Sequence, residues 1–306
     1  MIGEELLGRV EAGGSIAGPE PVLAMLSGGR DSVCMLDLAV RTRGAGEVRA
    51  LHVNYGLREE AGEDERHCAE LCERLGVALE VERPRRPQGP GNLQAWARER
   101  RYAAAAALAE EAGATIVTGH TADDQVETIL YRLASSPSRR ALLGMRPRDG
   151  RLARPLLGTT REETTAYCEE RGLGWRDDAG NDEADYKRNL LRRGLIPELA
   201  KIHPAARENV LRTAALLREE AELLDSLVDA EVEAGAISRE RFAELHPALR
   251  RLVVQRLADE AAGRPVPGAA RFAEQVASLH RGGSRLDLGG GVRAVLAGGV
   301  LRAERS

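Results

Sequence analysis

The chain reads as an α/β protein: a mostly parallel sheet covered on both faces by helices, then a helical carboxyl-terminal region that closes in a β-hairpin. Three observations predict this. Short apolar runs alternate with amphipathic stretches of helical period through residues 21–118, the pattern of strand–helix–strand units. The hexapeptide Ser27-Gly28-Gly29-Arg30-Asp31-Ser32 stands between the first apolar run and the first helical one. Beyond residue 204 the alternation stops and charged, amphipathic helical patterns take over.

Residues 21–26 (PVLAML) predict a short buried strand, and 33–40 (VCMLDLAV) a helix flank behind the glycines. Residues 48–53 (VRALHV) predict the second strand, and over 59–75 Cys68, Leu71, Cys72 and Leu75 share one helical face. A third strand is expected at 77–81, and the Pro/Gly-rich 83–91 (RPRRPQGPG) as a surface loop. An alanine-rich helix follows over 93–112, then a fourth strand over 115–118. Residues 204–234 predict one or two long helices, with Leu216, Leu217, Leu223, Leu224, Leu227 and Val228 at helical spacing. Two further helices are expected over 240–261 and 267–281, separated by a Gly-Pro-rich turn. The tail 285–302 alternates at period two around glycines, a hairpin pattern. The expected boundaries are 1–203, 204–235 and 236–306.

Composition suits a cytosolic enzyme. With 306 residues and 43% apolar content the chain can bury a core, and no stretch is long and apolar enough for a membrane span. The opening MIGEELLGRV carries two acids and lacks the apolar segment of a secretory signal. Cys34, Cys68, Cys72 and Cys168 lack both CxxC pairing and framework spacing, which predicts free thiols in a reducing, cytoplasmic compartment. Net charge is only −4, but seven arginines against one acid, Asp149, fall between Arg132 and Arg154. Lys187, Arg188, Arg192, Arg193 and Lys201 form a second basic group. Such runs are usually solvated faces; two of them beside a nucleotide site also suit a polyanionic substrate.

In the hexapeptide, two glycines leave backbone N–H groups uncrowded at a helix N-terminus, where the dipole favours an anion. The loop is too short for a Walker motif and has no nearby lysine, so amides, hydroxyls and a metal on Asp31 would carry phosphate charge. An ordinary tight turn is the local alternative. The second constellation is Gly119-His120-Thr121-Ala122-Asp123-Asp124-Gln125-Val126-Glu127-Thr128. Thr121 and Asp124 can cap a helix. Capping does not account for His120 at a strand end, or for Glu127, which shares a helical face with Asp124. That carboxylate pair suits Mg²⁺ or a cationic amine whose proton must be removed.

SGGRDS resembles the pyrophosphate loop of the N-type ATP pyrophosphatases. Together with HVNYGLR (52–58), NLQAWARERRY (92–102), TGHTADDQVET (118–128), RPLL (154–157) and DDAGNDEADYKRNLLR (177–192), it resembles the tRNA(Ile)-lysidine synthetases, collinearly from Val22 to Leu224. The resemblance implies an adenine nucleotide alpha hydrolase-like, Rossmann-like fold. The implied activity is ATP-dependent joining of the lysine amine to carbon-2 of the wobble cytidine in a CAU-anticodon tRNA(Ile), through an adenylated base. By position it implies that Ser27, Gly28, Gly29, Arg30, Asp31 and Ser32 hold ATP and that Asp31 holds Mg²⁺. His120 would sit at the adenylated cytidine, Asp124 and Glu127 would receive the amine, and Arg188 or Arg192 would approach substrate phosphate or carboxylate. Asn92, Arg98, Arg101 and Tyr102 would support the site, and a homodimer stays open.

Departures from the family pattern are Tyr55 for histidine, Thr121 for the second of two histidines, and Ser135-Ser136-Pro137-Ser138 for a glycine-rich RGSG. By the resemblance they cluster around the base and amine pocket, so a paralogue using another amine stays open. So do a tRNA thiolation enzyme, for which Cys68 and Cys72 read better as core, and an inactive tRNA-binding protein. The acidic helical region suggests that shape, with Arg250, Arg251 and Arg256, does the tRNA docking.

Overall fold

The computed structural model describes residues 2–57, 60–85, 87, 92–135, 139–176, 186–280 and 283–306, apart from the side chains of Tyr186 and Arg188. Two compact units divide the chain, Met1–Ala214 and Ala215–Ser306. The first opens with α1 (Ile2–Ala12), which the sequence reading did not anticipate, followed by β1 (Val22–Met25), α2 (Arg30–Arg43), β2 (Val48–Val53), α3 (Ala61–Leu75), β3 (Ala78–Glu82), α4 (Leu93–Ala112) and β4 (Thr115–Val117). Then come α5 (Ala122–Ser135), α6 (Arg139–Leu142), the two-residue strands β5 (Arg148–Asp149) and β6 (Leu152–Ala153), α7 (Arg161–Glu170), α8 (Tyr186–Leu190), a π-helical stretch Leu191–Leu195, and α9 (Ile196–Ile202).

The sheet order is β3-β2-β1-β4-β6-β5, parallel except for β5. The alternation of β1 explains the two covered faces. Val22, Ala24 and Leu26 pack with α1, α2, α3 and α7, whereas Leu23 and Met25 pack with Ala105 and Ala109 of α4. Alanine at those α4 positions lets the helix lie close to the sheet. Asn92 supplies its N-cap, accepting from the Gln94 and Ala95 amides, and Gly113 ends it in the left-handed region.

Strand order reverses direction between β1 and β4. Both strands run parallel, so the loops after them emerge side by side at one sheet edge, the position where α/β sheets bind ligands. The contact is tight: a Cβ on Gly119 would lie 2.7 Å from the Asp31 carbonyl oxygen. Behind this edge α2 is tied to α7 by a buried carboxylate. Asp37 accepts from Tyr167 Oη at 2.6 Å and from Arg171 Nε at 3.2 Å.

In the second unit, the helix α10 (Ala206–Glu231) contains the boundary, and the predicted one-or-two helices form one. It is followed by β7 (Ala236–Ser238), α11 (Arg239–Glu244), α12 (Pro247–Ala262), α13 (Ala273–Ala277), β8 (Ser284–Gly289), β9 (Val292–Ala297) and β10 (Val300–Arg305). The expected helix over 240–261 is broken at His246-Pro247, where proline opens α12 and the His246 ring caps it. The expected hairpin is part of a four-stranded antiparallel sheet, β7-β10-β9-β8. Glycine pairs separate its strands, and its inner face packs Leu288, Val292, Ala294 and Leu301 with Val253, Val254 and Leu257 of α12. Arg256 pairs with Asp225, Asp229 and Glu260, and Arg250 with Glu274. Two of the arginines expected at a docking surface are thus engaged internally.

Because backbone rather than a flexible side chain fills the space beside Gly119, Gly119→Ala should destabilise the fold by about 1–3 kcal/mol. A urea midpoint equal to that of the parent would show that the two loops separate freely.

Candidate functional site

The SGGRDS loop opens α2 with Gly28 at φ 84°, a left-handed conformation that glycine adopts without strain. Its side chains brace the turn. Ser32 Oγ donates to the Gly29 carbonyl (2.7 Å) and lies 3.0 Å from Ser27 Oγ, while the Ser27 amide donates to Ser32 Oγ (3.2 Å). No side chain caps α2. The Arg30, Asp31 and Ser32 amides have no hydrogen-bond partner among the described residues. Three open amides at a helix N-terminus make an anion cradle. They border a cavity of about 730 Å³, lined also by His52, Tyr55, Arg101, Tyr102 and His120.

Asp31 is the carboxylate at this edge. It accepts from Thr164 Oγ1 at 2.6 Å and Arg30 Nε at 3.2 Å, and Arg161 Nε lies 3.8 Å away. No group of three His, Cys, Asp or Glu suited to a metal occurs among the described residues. The cavity lining offers two carboxylates, Asp31 and Asp64, and a single oxygen ligand from the protein suffices for a cation that phosphate already coordinates.

His120 follows β4, with Nδ1 2.7 Å from Thr118 Oγ1. Burial, reinforced by the charges of Arg154, Arg101 and Arg98 and opposed by Asp124, pushes its pKa down to about 4. The ring is neutral near pH 7. Thr121 begins α5 as expected, its amide (2.9 Å) and hydroxyl (3.1 Å) both donating to Asp124 Oδ2. Burial alone would raise the Asp124 pKa; Arg161 and the Thr121 amide hold it below the ordinary value.

Asp124 and Glu127 do share a face, but arginines already hold them. Arg161 Nη2 donates to Asp124 Oδ1 at 2.7 Å and Nη1 to Glu127 Oε1 at 3.3 Å. Arg192, on the π-helical stretch, adds 2.8 and 3.3 Å bonds to the two Glu127 oxygens. Glu127 is 1% exposed, whereas the Arg192 side chain is 45% exposed. Asp123 accepts from the Arg161 amide (2.9 Å) and from Arg207 (3.2 Å). Sequence reasoning missed Arg161 and Thr164. The Thr160–Glu163 capping box could have placed the start of α7, but only the tertiary packing brings it to α5. The Arg188 side chain, Ser136–Ser138 and residues 177–185 lie outside the described residues.

Tyr55 donates to the Ala97 carbonyl (2.8 Å) and meets Trp96 edge-on, so the departure from histidine is absorbed by α4. All four cysteines are buried. Burial pushes Cys68 up to about 12 and Cys72 up to about 11, and a hydrogen bond with Cys168 together with burial raises Cys34.

A PP-loop domain family model matches residues 10–199. The chain is 33% identical to the tRNA(Ile)-lysidine synthase of Dehalococcoides mccartyi, covering 94% of this chain and 67% of that protein. It is 37% identical to the enzyme of that name from Thermus thermophilus (94% and 57%) and 39% identical to the one from Pseudomonas aeruginosa (68% and 48%). The chain thus spans about half to two thirds of the length of these curated relatives. Among solved structures, a U34-tRNA thiolase from Methanococcus maripaludis superposes with a TM-score of 0.57 at 17% identity, covering 70% of this chain and 79% of that one, a likeness of fold.

The unfolded histidine titrates near 6.5 and the folded one near 4. Between those values the unfolded chain takes up a proton that the folded chain refuses, so stability falls as pH drops through that window. Urea unfolding should show His120→Gln losing less stability than the parent from pH 6.5 to 4.5. Parallel losses would refute the neutral, buried ring.

Proposed function

Because the chain belongs to the PP-loop family, and within it to the tRNA(Ile)-lysidine synthases, we propose that it joins an amine, L-lysine, to carbon-2 of the wobble cytidine in CAU-anticodon tRNA(Ile) at the expense of ATP. One observation carries the reading: a lysine-free loop with three open amides, seated beside a neutral histidine and a carboxylate pair where strand order reverses.

ATP binds with its β- and γ-phosphates on the Arg30, Asp31 and Ser32 amides, Ser27 and Ser32 holding the turn in shape. Asp31 would hold a Mg²⁺ ion brought with the triphosphate, and the ion's chemistry is to neutralise charge on the departing pyrophosphate. The cytidine O2 displaces pyrophosphate from the α-phosphorus. Its base must first leave the anticodon stack, as single-stranded RNA bases do when proteins bind them. His120, uncharged, packs against the adenylated base without repelling its positive charge. The amine nitrogen then bonds to carbon-2 as the carbon–oxygen bond to AMP breaks, and the displaced ammonium proton passes to the carboxylate pair. Proximity and fixed charges supply most of the acceleration.

The ion pairs refine the amine step. Asp124 and Glu127 reach a donor's ammonium only when a guanidinium yields, and Arg192 is the exposed one. Its release from Glu127 toward a phosphate exchanges one cation for another at constant charge. Arg188 stands as the alternative phosphate ligand. A sulfur-transfer chemistry is less well supported, because buried thiols with raised pKa values make poor nucleophiles.

Asp31→Ala should abolish pyrophosphate release from ATP and unmodified transcript. Glu127→Gln should retain much of that release while slowing lysine incorporation at least tenfold, read by mass of the wobble nucleoside. Equal loss of both steps in Glu127→Gln refutes its place at the amine. Absence of lysine in the product from the parent protein refutes the donor.

A further inference from the structure

Three arginines lie on the elements around His120: Arg98 and Arg101 on α4, and Arg154 just past β6, whose Ala153 carbonyl accepts from the Thr118 amide. Arg98 and Arg101, from α4, stand 4.9 and 5.6 Å from the Tyr102 ring centroid, and Arg101 lines the cavity wall. Arg154 follows β6 directly. The charges of all three reach His120, and those of Arg98 and Arg154 reach each other.

Their partners do not match their charge. None of the three forms an ion pair with a carboxylate among the described residues, and Asp149 acts on Arg154 only from a distance. Arg154 is 9% exposed, donates Nη1 to the Arg146 carbonyl at 2.6 Å, and keeps a buried Nε with no acceptor. The Arg101 Nε is also buried without an acceptor. On the Asp31 side the opposite holds, where Arg161 and Arg192 are each met by carboxylates. The buried Nε donors of Arg101 and Arg154, unmet by any acceptor, are costly until an anion joins them.

The triphosphate is accounted for by the loop amides after β1. The RNA brings its own anions, since a nucleotide whose base reaches His120 carries a phosphodiester on each side of its ribose. Guanidinium matches phosphate geometry, and arginines interleaved with an aromatic ring suit a splayed single strand. We propose that Arg98, Arg101 and Arg154 form a phosphodiester subsite that grips the RNA backbone beside the reacting base. The inference rests on the RNA-modifying reading of the site. Backbone contacts of this kind set position and carry no sequence information, so the subsite holds the nucleotide against His120 whichever base it bears.

The test uses an anticodon stem-loop with a single neutral methylphosphonate linkage, 5′ or 3′ of the target cytidine, and measures RNA and ATP affinity separately. One of the two linkages should weaken binding by the parent protein roughly ten- to a hundredfold. Arg101→Gln and Arg154→Gln should weaken native RNA by a similar factor and lower the salt slope by about one. Combined with the neutral linkage, they should lose little more, while ATP affinity without RNA stays within twofold. Arg98→Gln, at an exposed position, covers the case in which Arg154→Gln fails to fold. Variants that weaken ATP and spare RNA would assign the subsite to nucleotide phosphate and overturn the proposal. Losses that add at both linkages would overturn it too. Failure of the RNA-modifying reading shows separately, as absent pyrophosphate release by a parent protein that still binds the stem-loop.

Discussion

The site depends on the parallel pairing of β1 with β4. Val22, Leu23 and Ala24 lie opposite Thr115, Ile116 and Val117, so the two strands end level and their loops emerge together. One loop brings open amides at a helix start; the other brings Thr118, Gly119 and His120. Gly119 lies against the Asp31 backbone with no room for a side chain. In the proposed reaction this adjacency puts an anion on the amides next to a planar base at the imidazole, so the transfer between them needs little rearrangement.

Charge is arranged oppositely on the two sides of that junction. Toward α5 and α7, Asp31, Asp123, Asp124 and Glu127 meet Arg30, Arg161, Arg192 and Arg207, and Arg161 with the Thr121 amide holds the Asp124 pKa below its ordinary value against desolvation. Such pairs are weak sources of stability, since desolvation offsets much of their attraction. In the proposed reaction they hold a cation-shaped place that a donor's ammonium takes over by exchange. Toward α4 and β6 the arginines outnumber their partners and the histidine is kept neutral. One flank of the proposed catalytic centre is thus prepared for a cation and the other for an anion.

The carboxyl-terminal unit has a separate apolar core, built by α12 against the inner face of a four-stranded antiparallel sheet. Within it, Arg241, Arg250, Arg256, Arg293 and Arg302 pair with its own acids, as with Arg256 and the Asp225, Asp229 and Glu260 carboxylates.

Local chemistry decided what the sequence alone could show. Short apolar runs set the parallel strands, the period-two tail set the hairpin, helical spacing set α3 and alanine richness α4, and the lysine-free glycine loop and the His120–Glu127 stretch marked the two edges of the proposed site. These signals survive in one dimension because each depends on residues a few positions apart. Tertiary structure decided everything that joins distant segments. Arg161 lies more than thirty residues from Asp124 and more than a hundred from Asp31, and no spacing rule links an arginine at one helix start to carboxylates on another. The two-residue strands β5 and β6 were too short to leave a periodic signal, and β7 pairs only because β10 reaches it. Whether a charged side chain is matched or left in excess depends on which neighbours the fold brings within a few ångströms, and that is a property of packing.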